Sequence, residues 1–124
     1  MPRASERGAV AVEFAILAPV LVMLLLGIME FGRAYNVQTT LTNAAREGVR
    51  SMAINNSQAT ARAAAKTAVG QLNPALADGN ITFSSATCTI GSQMTVTISY
   101  NLSTMTGIAG PFAMSGKGTM LCGG

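Results

Sequence analysis

The chain has no histidine and no tryptophan, and only two cysteines and five acidic residues among its 124 positions. Each shortage removes a class of chemistry. Without histidine, the most frequent general base and metal ligand is missing. Cys88 and Cys122 alone cannot supply the four ligands of a structural zinc site. Glu6, Glu13, Glu30, Glu47 and Asp78 are scattered and form no evident carboxylate pair. There is no phosphate-binding glycine loop and no metal-ligand spacing. The expectation is therefore a protein that is not an enzyme, with no catalytic residue, no metal, no cofactor and no small-molecule substrate.

Charge is scarce as well. Charged residues make up 10% of the chain, where a soluble domain carries roughly a quarter. The mean hydropathy of +0.40 points the same way. A net charge of +3 reflects a small excess of Lys and Arg. These basic residues form no run, which argues against nucleic-acid binding.

What the chain does have is a long apolar run. Residues 1 to 8, MPRASERG, are polar; from Ala9 to Met29 the one charged residue is Glu13, and Phe14 to Met29 holds no polar side chain. A helix over Ala9 to Met29 would span roughly 30 Å, the thickness of a bilayer's hydrocarbon core. Pro19 lies inside it, where the ring removes a backbone donor and crowds the carbonyl of Ala15, so a kink is expected. An ionisable side chain in such a segment costs about 3 kcal/mol on insertion scales. Two readings of Glu13 follow. It sits near the helix start, where the dipole favours an anion, or it has a cationic partner. If the chain were cut after Gly8, the new amino group of Ala9 would be such a partner, in the same or a neighbouring subunit. Arg3 and Arg7 suit a cytoplasmic N-terminus, although Arg33 on the other side weakens the asymmetry. An ordinary secretory signal would need a small-residue cleavage site after the apolar run, and residues 27 to 34 offer no good one.

Helical spacing continues beyond the apolar run through Phe31, Tyr35, Leu41, Ala45, Val49 and Met52. Glu30 and Arg33, three apart, are expected to pair locally, and Arg46, Glu47 and Arg50 to form a solvated face. Asn55-Asn56 reads as a turn, and Ser57 as the N-cap of a second helix over residues 58 to 72, ended by Asn73-Pro74. The last third changes period. Met94, Val96, Ile98, Tyr100 and Leu102 alternate with polar residues, a strand pattern. Gly91-Ser92 reads as a two-residue hairpin turn, pairing Ile90 with Gln93, Phe83 with Tyr100 and Ile81 with Leu102. The apolar face of this hairpin is expected to pack on the helix. Residues 103 to 114 read as a loop, and residues 115 to 122 as a third short strand. The hairpin register places Cys88 on the polar face. The even cysteine count in an exported domain favours a Cys88–Cys122 disulfide, with two free thiols or an intersubunit crosslink as the alternatives.

The segment RGAVAVEFAILAPVLVMLLLGIMEFGRA, residues 7 to 34, resembles the N-terminus of TadE-like proteins. These are pilin-like components of the tight-adherence (Tad, Flp-type) branch of type IV pili. The resemblance rests on Gly8, Glu13, Phe14, Pro19 and Gly32-Arg33, and continues through Leu41, Ala44-Ala45, Arg46-Glu47-Gly48 and Arg50. More loosely it extends to the strand VTISYNL and the Gly-Pro loop after it. It implies cleavage between Gly8 and Ala9 by a membrane prepilin peptidase, with Glu13 and Phe14 setting subunit register. In major pilins of the system Tyr usually follows that Glu, so Phe14 suggests a minor pilin.

The expected fold class is α+β, pilin-like: a long N-terminal transmembrane and amphipathic helix, a second short helix and a small antiparallel sheet. The expected divisions are a leader at 1–8, a transmembrane helix at 9–32, a helical extension at 33–54 and an extracytoplasmic head at 55–124. The resemblance implies a single-pass inner-membrane protein with its head outside. Its partners would be the membrane, prepilin peptidase, other pilin-like subunits and the Tad assembly machinery. Its function would be to support pilus assembly and surface adhesion. The alternative is a membrane-anchored assembly or binding protein that never enters the filament.

Overall fold

The structure is a computed structural model. It describes residues 3–70, 72, 75–104, 107 and 110–123, with helix side chains from residue 6 onward. The elements are helices α1 (Arg3–Asn55) and α2 (Gln58–Val69), a 3₁₀ turn at Asp78–Asn80, and strands β1 (Ile81–Phe83), β2 (Gln93–Leu102) and β3 (Phe112–Leu121). The fold class is α+β, as expected. The chain divides into two compact units, residues 1–33 and 34–124, which are taken in turn.

In the first unit, α1 starts at Arg3 rather than Ala9. Ala4, Glu6 and Arg7 are good to moderate helix formers, and Glu6 in the first turn complements the helix dipole. The helix assignment runs without a break through Pro19.

In the second unit, the later part of α1 packs on the sheet. Val37, Leu41, Ala44, Ala45, Val49, Met52 and Ala53 are buried; of the spacing read from the sequence, Leu41, Ala45, Val49 and Met52 face inward, whereas Phe31 and Tyr35 are exposed. Arg46, Glu47 and Arg50 lie exposed on the other side. α1 ends at Asn55, where Asn56 takes a left-handed φ of 48° and its N–H donates to the Met52 carbonyl at 2.9 Å. Asn is one of the few side chains that tolerates this cap conformation. Ser57 caps α2 as expected, its Oγ accepting from the Thr60 N–H at 3.3 Å. α2 stops at Val69, short of residue 72, because Gly70 takes a positive φ of 71°. Asn73 and Pro74, the expected terminators, lie outside the described residues.

The sheet order is β1-β2-β3, all antiparallel. Met94, Val96, Ile98, Tyr100 and Leu102 fill its inner face, the alternation seen in the sequence. β3 begins at Phe112, three residues earlier than expected. Two of its residues, Gly116 and Gly118, allow α1 to approach closely. A Cβ on Gly118 would stand 2.8 Å from the Ala45 carbonyl carbon, and one on Gly116 would run into the Leu41 and Thr42 backbone.

The β1–β2 register corrects the sequence reading. Ile81 pairs with Ile98 and Phe83 with Val96, rather than with Leu102 and Tyr100. The shift is four residues. Because it is even, every side chain keeps its face. The two-residue turn is absent. Instead Ser92 N–H donates to Thr89 O at 3.1 Å, closing a turn around Ile90 and Gly91, the latter at φ 87°. That turn is fastened to the end of β3: Cys122 N–H donates to Ser92 O at 2.9 Å. Beyond Ser84, residues 85–92 leave the β1–β2 ladder to reach this position, so Cys88 sits in a loop and not on the polar face of a strand.

Candidate functional site

Gly8, Ala9, Glu13, Phe14 and Pro19 all lie on the first part of α1, and each is exposed. The neighbouring large apolar side chains are exposed too: Phe14 is 71% accessible, Ile16 63% and Leu25 61%. A soluble protein does not leave such a continuous apolar surface uncovered. Among the described residues nothing buries the most apolar stretch of the helix, which is long and apolar enough to cross a membrane. Glu13 therefore projects from an otherwise apolar surface, one turn and a half beyond Gly8. Gly8 has open space around its Cα.

Cys88 and Cys122 form a disulfide with a Cα–Cα distance of 5.4 Å. Both cysteines are buried. The loop carrying Cys88 is held from a second side, because its N–H donates to the Asn56 Oδ1 at 2.7 Å. One bridge thus joins the end of β3 to the 84–92 loop, and one side-chain hydrogen bond joins that loop to the end of α1.

Among the described residues no three His, Cys, Asp or Glu side chains are placed to hold a metal ion. Lys66 and Asp78 form an exposed ion pair between α2 and the 3₁₀ turn. The Lys66 ammonium, by hydrogen bond first and charge second, holds the Asp78 carboxyl below its ordinary pKa of 3.8. The Arg62 guanidinium lies 5.1 Å from the centre of the Phe83 ring. Residues 21 apart in an α2–β1 crossing carry no local signal for such a contact.

An exposed apolar helix, a second short helix and a small antiparallel sheet make a pilin-like α+β arrangement. The family match agrees: residues 8–50 match the family described as TadE-like protein. The resemblance read from Gly8, Glu13, Phe14 and the Ala-Ala-Arg-Glu-Gly segment is thereby borne out over that stretch. It suggests a Tad pilus-associated protein with a helix fit for membrane anchoring. No curated protein and no solved structure matches the chain.

Proposed function

We infer that this protein is a structural, non-catalytic subunit of a Tad-type pilus, a minor pilin that supports assembly and surface adhesion. The observation that supports it best is the apolar stretch of residues 9–29, unburied among the described residues, whose single carboxylate, Glu13, stands five residues after Gly8. In this reading the chain crosses the inner membrane once, with residues 1–8 in the cytoplasm and the disulfide-closed head outside. Prepilin peptidase cuts between Gly8 and Ala9. The new Ala9 amine of one subunit then meets Glu13 of another as the helices pack. A paired carboxylate offsets the roughly 3 kcal/mol that an isolated charge costs in the apolar layer. The match of that charge to one axial position gives the bundle its register.

The bond to be cut lies in the second turn of α1. A peptidase needs that stretch extended, so the helix must unwind locally. Helix starts fray readily, and Gly8 lowers the local helix propensity by about 1 kcal/mol relative to Ala.

Two substitutions test the reading. Glu13→Ala is expected to be processed and inserted in the membrane but missing from a sheared pilus fraction. Its normal recovery there would count against Glu13 as the residue that meets a neighbour's amine and sets the register. Gly8→Val is expected to leave the chain at full length, read by mass spectrometry of the membrane fraction. Trimming at the same bond would remove the proposed site.

A further inference from the structure

The groove between α2 and the free edge of β1 has chemistry that the head itself does not use. It has a volume of about 440 Å³ and is lined by residues including Gln58, Arg62, Phe83, Ser84 and Ser85. β1 is an edge strand. Ser84 N–H donates to Thr95 O on β2 at 2.9 Å, so the alternation of an antiparallel ladder turns the backbone groups of Ile81 and Phe83 outward; the Ile81 N–H is taken by the Asp78 carbonyl, which leaves the Phe83 groups without a partner among the described residues. The Ile81 carbonyl confirms this direction, since it accepts from an Arg62 terminal nitrogen across the edge at 3.5 Å.

Arg62 is placed but barely engaged. Its plane lies near the Phe83 ring. Its contacts to Gln58 Oε1 and Ile81 O, at 3.4 Å and 3.5 Å, are at the outer limit of hydrogen bonding. Its Nε is buried and, among the described residues, has no hydrogen-bond partner. A buried donor without a partner is costly and calls for an acceptor. Asp78, whose carboxyl also feels the Arg62 charge, is hydrogen-bonded by Lys66 rather than by Arg62. From residue 34 onward Arg46, Arg50, Arg62, Lys66 and Lys117 face only Glu47 and Asp78, so the head attracts anions.

We propose that this groove binds an extended acidic segment of a partner protein, which adds as a strand to the β1 edge and places an Asp or Glu carboxylate on Arg62. Phe83 supplies the main-chain hydrogen bonds at the edge and the guanidinium supplies selection for the carboxylate. The β3 edge is the poorer site. Lys117 is exposed at its middle and Gln38 already donates to the Ser115 carbonyl at 2.7 Å. The binding is independent of whether the chain enters a filament.

The test uses the full ¹⁵N-labelled chain in detergent micelles. The probe is a blocked peptide of alternating Val and Thr with one central Glu, beside the same peptide with Gln. The Glu peptide should shift the amide resonances of Phe83, Ser85 and Ala86 saturably. The Gln peptide should bind about 10–100-fold more weakly, the range for losing a charge-assisted hydrogen bond. Arg62→Gln should abolish the difference between the peptides. Arg62→Lys, which keeps the charge but loses the planar fork, should reduce it. The comparison of the two peptides on the unaltered protein stands even if a variant fails to fold. Equal affinity for both peptides would overturn the proposal. So would shifts centred on β3, equal shifts from acetate alone, or binding of a uronic-acid oligosaccharide where the peptide fails.

Discussion

At the scale of single residues, small side chains and one amide decide more of the head than its large apolar residues do. Gly118 and Gly116 are needed because α1 backbone occupies the space a Cβ would take. Alanine usually improves a strand over glycine by roughly 0.5–1 kcal/mol through backbone entropy. Here the added methyl meets backbone, which cannot rotate away. Gly118→Ala is therefore expected to destabilise the head by about 1–3 kcal/mol, the usual cost of overpacking, read as a lower urea midpoint. An unchanged or higher midpoint would show that α1 is free to shift. Asn56 serves two ends at once: its backbone closes α1, and its side chain accepts from Cys88 N–H. The sequence flagged Asn55-Asn56 as a turn. The second role was invisible there, since Cys88 lies 32 positions away.

At the scale of elements, periodicity was legible and connectivity was not. The 3.6-residue pattern placed the inward face of α1 from Leu41 to Met52, and the two-residue pattern placed the inward face of β2. Both hold because side-chain spacing is a local property of helix and strand. The β1–β2 turn failed because Gly91-Ser92 satisfies hairpin chemistry locally while the loop around it is claimed by Cys122 and Asn56. Between α2 and the 3₁₀ turn, the Lys66–Asp78 pair gives a prediction about pH. The folded-state pKa of Asp78 is lowered, so its contribution to stability is present above about pH 3.8 and is lost as pH falls through the folded value. Acid unfolding curves should lose part of their slope below pH 4 in Asp78→Asn. An unaltered slope would mean the exposed pair is screened out of significance.

At the scale of the whole molecule, the disulfide closes a loop with a separation of 34 residues in a small head. Removing the closure entropy from the unfolded chain is worth about 3–4 kcal/mol for a loop of that size. A Cys88→Ala, Cys122→Ala double variant should lose about that much in urea unfolding, while its membrane insertion stays normal. A head so small has little core to spare. The variant is thus expected to be cleared in the cell before assembly, which is checked by its abundance in the membrane fraction.

The sequence by itself determined the apolar run of residues 9 to 29, the lone carboxylate of Glu13 inside it, the α+β class and the inward faces. These follow from composition and short-range spacing, which every local window of the chain carries. Tertiary structure alone decided the four-residue change in strand register, the buried place of Cys88, the need for glycine at 116 and 118, and the meeting of Arg62 with Phe83. Each depends on segments distant in sequence competing for the same space. Sterics and hydrogen bonding settle that competition only once the helices and the sheet are packed together.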